Sequence, residues 1–120
     1  MKVIPWNLPV CASWTRSLEL KQLSFSQGRL VLLLQEEEGA RWSVTFSPVQ
    51  AFRSTTEECA AAVLQKLPEN GALFEVLESA WVDELGKAQF LAQSHHYVVC
   101  SYDEVVEVVA WNAEAIPVAS

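Results

Sequence analysis

The chain has 120 residues, of which 51% are hydrophobic and 19% charged, and its formal net charge is −7 at pH 7. This length suits a single domain with one hydrophobic core, and the composition excludes intrinsic disorder, which requires low hydrophobicity and high charge. An acidic surface repels nucleic-acid phosphates and anionic membranes, so we expect neither as a partner. The charge is explained either by solubility alone or by a basic protein partner.

The N-terminal stretch predicts neither a signal peptide nor a membrane span. Met1–Trp14 is interrupted by prolines, so we expect residues 1–16 to form an irregular arm of a single domain covering residues 1–120. The longest aliphatic run, Leu30–Leu34, is too short to cross a bilayer. The three cysteines, Cys11, Cys59 and Cys100, are odd in number and widely spaced, which indicates buried thiols and a cytoplasmic protein.

The first strand should contain a bulge. Leu18 and Leu20 alternate with polar residues, and Leu23 and Phe25 continue the alternation one residue out of phase. One extra residue near Lys21–Gln22 would place both halves on the same face.

Two more strands should follow with short connections. Gln27–Gly28 is a turn signal, and Arg29–Gln35 is apolar enough for a central strand covered on both faces. An acidic turn then leads to a strand from Arg41 with one buried face, and Ser47–Pro48 should mark an edge or a bulge. The result is a three-stranded meander.

A helix is predicted from about Thr55 to Leu67. The sequence Ser54-Thr55-Thr56-Glu57 has the spacing of a capping box, with Thr55–Glu58 as an overlapping alternative. Pro68 and Asn70-Gly71 should end the helix. Ala72–Ser79 is predicted to be a further strand. Ala80–Ala92 is compatible with a short irregular helix or with a packed loop.

A second hairpin is predicted over His95–Trp111. With a loop of two or four residues, one side is almost entirely apolar and should face the core: Tyr97, Val99, Ser101, Val106, Val108 and Ala110. The other side mixes aromatic, thiol and acidic groups and is a candidate binding surface: His96, Val98, Cys100, Tyr102, Val105, Glu107, Val109 and Trp111. A loop of three residues would reverse this grouping.

These elements predict an α+β fold, with an antiparallel meander sheet of about five or six strands and one main helix packed on one face. Strands that follow one another with a single strong helix do not fit a doubly wound parallel sheet.

No motif predicts catalysis, a metal site or a cofactor. His95 and His96 are neighbours in a strand and should point to opposite faces, so they cannot easily share one metal ion. Cys100 and Glu107 could lie opposite each other, but His96 would be about 13 Å from Cys100, too far to activate a thiolate. We therefore do not expect an enzyme. The candidate binding residues are Glu36, Glu37, Glu38, His96, Tyr102, Asp103, Glu104, Glu107 and Trp111.

Part of the chain resembles small bacterial α+β proteins, some of unknown function and some of toxin-immunity type. The resemblance covers about Arg41–Trp111 and is carried by short motifs: Trp42-x-Val44-x-Phe46, Ala51-Phe52-Arg53, Glu57–Glu58, Glu78-Ser79-Ala80-Trp81, and His96-Tyr97 with Glu107-Val108. It implies an inhibitor that binds a toxin and does no chemistry. Immunity proteins share no catalytic set, so no site residues are carried over.

Three functional hypotheses follow. The first is a non-enzymatic protein-binding module, in one form an immunity-type inhibitor of a basic partner, because the chain is acidic and has five tryptophans. The alternative is a small-molecule-binding domain or an unrecognised enzyme, with a pocket between helix and sheet walled by Trp81, Tyr102 and Trp111 and anchored by His96 or Glu107. The third is a homodimer joined through an apolar sheet face.

Overall fold

The computed structural model describes residues 2–5, 18–37, 39–56, 65, 67, 71–86, 94–102 and 104–118. Over these ranges the chain forms seven strands and one short helix. In chain order they are β1 (Lys2–Pro5), β2 (Glu19–Ser26), β3 (Arg29–Gln35), β4 (Arg41–Thr56), β5 (Leu73–Leu77), α1 (Ala80–Glu84), β6 (His95–Cys100) and β7 (Glu104–Val118).

All seven strands belong to one open antiparallel sheet, in the order β1-β5-β6-β7-β4-β3-β2. The predicted meander is confirmed as β2-β3-β4, and the predicted bulge in β2 lies between Leu20 and Gln22. Lys2–Pro5, which we expected to be irregular, form a strand that pairs with β5. The rest of the predicted arm, residues 6–16, lies outside the described residues.

The predicted α+β class is wrong, because over the described residues the protein is essentially all-β. The predicted helix start is instead the end of β4, where Ser54, Thr55 and Thr56 pair with Val106, Val105 and Glu104 of β7. Threonine is β-branched and favours a strand once a partner strand is present. Most of the remaining predicted helix lies outside the described residues. The described helix, α1, has five residues within the segment for which we considered a short helix.

Strand β4 is the longest strand and continues through the Ser47–Pro48 bond, which is cis. The predicted buried face is confirmed: Val44 and Phe46 are fully buried and Trp42 is half-buried. Val49 and Phe52 pack against the same core, so the alternation changes phase along the strand. The irregularity between Val49 and Ala51 accounts for the second change of phase.

The sheet curls so that its two halves enclose the main core. Strand β4 pairs with β3 only through its first half, and β7 pairs with β6 only through its first half. The rings of Phe46 in β4 and Tyr97 in β6 are 5.5 Å apart although β7 lies between these strands in the sheet. The main core contains buried residues from both halves: Leu18, Leu30, Leu32, Leu34, Val44, Phe46, Ala72, Leu73, Tyr97, Val99, Val106, Val108 and Ala110.

The β6–β7 hairpin is buried on both faces. The predicted core side is confirmed, since Tyr97 pairs with Val108 and Val99 pairs with Val106. The opposite side contributes to a second cluster of buried residues: Leu67, Phe74, Val76, Val98, Cys100 and Val105. The face expected to be a mixed binding surface is therefore largely interior within the hairpin.

No helix among the described residues is long and apolar enough to cross a membrane.

Candidate functional site

The surface has an acidic groove made of two adjoining depressions of about 260 and 240 Å³. Both depressions are lined by Glu19 and Tyr102. The remaining lining residues are Leu20, Gln35, Glu36, Glu37, Ser101 and Glu104. We call this set the acidic groove. It joins the beginning of β2, the β3–β4 turn and the β6–β7 turn.

The β3–β4 turn supplies two of the carboxylates. It is closed by hydrogen bonds from Glu36 N to Ala40 O at 2.7 Å and from Gly39 N to Glu36 O at 2.9 Å. The indole Nε1 of Trp42 donates to Glu36 Oε2 at 2.7 Å, which fixes this side chain beside the sheet. Glu37 is exposed.

The β6–β7 turn supplies Tyr102 and Glu104. The backbone N–H of Ser101 donates to Glu104 O at 2.9 Å, and Tyr102 N donates to Leu18 O at 2.9 Å. The second bond ties the hairpin turn to the residue preceding β2, across the curl of the sheet. Ser54 Oγ donates to Glu104 Oε2 at 3.0 Å, and the Tyr102 residue is left 65% exposed.

The groove is acidic, because four glutamates line it. No lysine or arginine is among the described residues that line it. Lys21 Nζ lies 2.7 Å from Glu19 Oε2 in an exposed ion pair. Such exposed pairs contribute little, so the groove retains its capacity to attract cationic groups.

A second polar group is buried between α1 and the β6–β7 hairpin. His96 Nδ1 lies 2.7 Å from Ser79 Oγ, and His96 Nε2 lies 2.9 Å from Glu107 Oε1. Ser79 is the N-cap of α1, and its hydroxyl accepts from Val82 N at 3.2 Å. Ser79, His96 and Glu107 are 7%, 5% and 3% exposed. We call these three residues the buried triad.

Arg53 and Trp81 form the outer side of the buried triad. Arg53 Nε donates to Glu107 Oε2 at 2.7 Å, and the Arg53 guanidinium lies 4.2 Å from the centre of the Trp81 ring. The Trp81 ring in turn makes an edge contact with the His96 imidazole, with ring centres 5.2 Å apart. Both carboxylate oxygens of Glu107 are therefore hydrogen-bonded.

The Glu107 carboxyl is strongly acidic for a buried group. Burial raises its pKa, but the hydrogen bonds and charges of His96 and Arg53 outweigh burial and lower the pKa from 4.5 to about 2. Glu107 is consequently a carboxylate at neutral pH and can only accept hydrogen bonds.

The structure divides the predicted binding residues into separate groups. Glu36, Glu37, Tyr102 and Glu104 come together in the acidic groove, whereas His96 and Glu107 belong to the buried triad. Trp111 is half-buried, between two residues that pair with β4. Glu38 and Asp103 lie outside the described residues.

Two predictions about individual residues can be compared directly with the register. His95 and His96 do point apart: His95 is exposed and lies 2.8 Å from Glu75 Oε2, while His96 is buried. The suggestion that Cys100 lies opposite Glu107 is wrong, because Cys100 pairs with Val105 and Val98 pairs with Glu107. No group of three or more His, Cys, Asp or Glu side chains in the described ranges could hold a metal ion.

Sequence reasoning missed Glu19, Arg53 and Ser79 as members of these sites. Glu19 reaches the groove only because the sheet curls, and Arg53 was assigned to the residues preceding a helix. The signal that could have identified Ser79 is its position immediately before a short apolar-acidic segment, where serine is a common N-cap.

Comparison with protein-family models, with curated proteins and with solved structures finds no match to this chain.

Proposed function

We propose that this protein binds a basic segment of a partner protein in the acidic groove. The observation that carries the proposal is the convergence of Glu19, Glu36, Glu37 and Glu104 around the exposed Tyr102. These residues come from distant parts of the sequence and are placed by specific backbone hydrogen bonds.

The chemistry of the groove favours lysine or arginine side chains over other ligands. Carboxylates on both sides of a depression attract cations, and the face of a tyrosine ring can receive a guanidinium or an ammonium group. The net charge of −7 adds a long-range attraction that raises the association rate more than the affinity.

In its inhibitor form, the proposal has a basic toxin as the partner, and binding would block the toxin by occupying its cationic surface. This form is supported by the resemblance of residues 41–111 to proteins of immunity type and by the placement of Tyr102 and Glu104 within that range.

The test uses two variants with the same change in charge. Glu37→Lys with Glu104→Lys alters the groove, and Glu78→Lys with Glu114→Lys alters exposed positions that do not line it. Each pair of substitutions changes the formal net charge of the protein from −7 to −3. The partner is first captured with the tagged wild-type protein from its host lysate, identified by mass spectrometry and then purified.

Association rates with the purified partner should fall about tenfold for the groove variant at low salt and much less for the control variant. The difference should disappear at high salt, because screening removes the attraction. Equal rates for the two variants, or a loss explained by a lowered urea midpoint of the groove variant, would contradict the proposal.

A further inference from the structure

The buried triad brings together three side chains from three elements of the fold. Ser79 precedes α1, His96 is in β6 and Glu107 is in β7. The distances of 2.7 Å from Ser79 to His96 and 2.9 Å from His96 to Glu107 form a continuous hydrogen-bonded chain. A nucleophile, a base within hydrogen-bond distance and a third group that orients the base are the diagnostic arrangement of an activated nucleophile.

The positions of the hydrogens follow from the partners. Because the Glu107 carboxylate only accepts, His96 Nε2 carries a hydrogen and donates it. In the neutral imidazole, Nδ1 is then an acceptor, so the Ser79 hydroxyl donates to it. The Ser79 oxygen receives the N–H of Val82 on its other side. The hydroxyl proton of Ser79 is thus directed at a base that Glu107 holds in the required tautomer.

We propose that Ser79 is the nucleophile of an acyl-transfer site that hydrolyses esters with a short acyl group. His96 is the general base, and Glu107 is the positioning residue that stabilises the imidazolium. The acyl group has to be small because Ser79 is only 7% exposed. This site shares no residue with the acidic groove, so a negative result for one proposal leaves the other unaffected.

The reaction consumes only the ester and one water molecule. Ser79 Oγ attacks the carbonyl carbon of the ester while its proton moves to His96 Nδ1, and the bond to the alcohol breaks as the alcohol takes that proton. Water then attacks the acyl-serine, transfers a proton to Nδ1 and releases the carboxylic acid as Ser79 regains its proton. In the familiar serine-protease triad Nε2 faces the serine, whereas here Nδ1 does. Either ring nitrogen can accept the proton when it is unprotonated.

Trp81 lies directly beside this site. Its ring packs against the His96 imidazole and carries the Arg53 guanidinium on its face. Shortening residue 81 removes an aromatic ring from beside the catalytic base, so it should widen access to the site and speed the reaction.

The first experiment uses a fluorophosphonate probe, whose phosphorus forms a bond with an activated serine oxygen while fluoride leaves. Wild-type protein should gain one adduct, mapped to Ser79 by peptide mass spectrometry. Labelling should be absent in Ser79→Ala, about a hundredfold slower in His96→Gln, and about tenfold faster in Trp81→Ala. Hydrolysis of p-nitrophenyl acetate should follow the same order.

Trp81→Leu is the alternative if Trp81→Ala does not fold, because leucine retains an apolar contact while removing the ring. The folded state of every variant is verified by its urea unfolding curve. If no adduct forms on Ser79 in the wild type or in a folded Trp81 variant, the proposal is overturned and the buried triad only fastens α1 to the hairpin. An adduct at a different residue, with none on Ser79, would also overturn the proposal.

Discussion

Glu107 shows how a charged side chain is accommodated inside this protein. It is 3% exposed, yet both carboxylate oxygens have partners, Oε1 with His96 and Oε2 with Arg53. A buried charge without such partners would cost several kcal/mol, on the order of the stability of a small domain. The pair of partners therefore determines whether Glu107 supports or opposes folding.

Replacing Glu107 with Gln should reveal this contribution through its pH dependence. The folded-state pKa is about 2 and the ordinary value is 4.5, so the carboxylate stabilises the fold above about pH 4.5. That stabilisation is lost as the pH falls from 4.5 towards 2. The free energy of unfolding of Glu107→Gln should be lower than that of wild type by about 2 kcal/mol at neutral pH, and the gap should narrow in acid.

Urea unfolding at about pH 6 and about pH 3 measures this gap. Glu114→Gln, at an exposed position of the same strand, controls for the loss of one carboxylate. A gap between wild type and Glu107→Gln that is the same at both pH values would show that the Glu107 charge does not stabilise the fold.

The sequence predicted only part of the buried triad. The period of two along β6 and β7 placed His96 and Glu107 on one face of the hairpin, and their contact follows from that register. Arg53 and Ser79 could not be assigned, because their positions depend on the pairing of β4 with β7 and on the path of the chain after β5. These are contacts between residues distant in sequence.

Strand β4 is the element in which the local sequence pattern and the tertiary structure disagree. Ser54–Thr56 have the spacing of a helix cap, and the alternation of apolar residues is interrupted at Pro48. In the fold, β7 offers a partner for the whole length of β4, and pairing from Arg41 to Thr56 outweighs the local cap preference. Strands and turns defined by short-range signals, such as β2, β3 and the turn between them, were predicted correctly.

Strand β3 allows a test of how its two faces are covered. Leu32 is fully buried in the main core, whereas Leu33 on the other face is half-buried, so the expected covering of both faces is complete on one face and partial on the other. Leu32→Ala should lower the free energy of unfolding by about 2–5 kcal/mol, because it leaves a cavity in the core. Leu33→Ala should cost about 1–2 kcal/mol, since its side chain loses less buried area.

The two variants are matched, because they make the same chemical change at adjacent positions of one strand. Chemical denaturation at neutral pH provides both values. Equal losses would mean that the outer face of β3 is as well covered as the inner face.

The curl of the whole sheet creates the acidic groove. The net charge of −7 can be read from the sequence, and so can the separate acidic turns. The sequence does not show that Glu19, Glu37 and Glu104 surround one tyrosine. This arrangement requires the start of β2 to meet the β6–β7 turn across the curl. Loop-closing contacts of this kind have no local sequence signal, which is why only the carboxylates within the turns were identified in advance.

The contact between Phe46 and Tyr97 tests the curl itself. Their ring centres are 5.5 Å apart, yet β7 separates their strands in the sheet, so a flat sheet would keep them apart. A double-mutant cycle with Phe46→Leu and Tyr97→Leu should give a coupling energy of about 0.5–1.5 kcal/mol. The matched cycle pairs Phe46→Leu with Phe74→Leu, since Phe74 belongs to the second cluster, and it should be additive within about 0.5 kcal/mol. Additivity in the first cycle, measured by urea unfolding, would contradict the curled arrangement that brings the groove residues together.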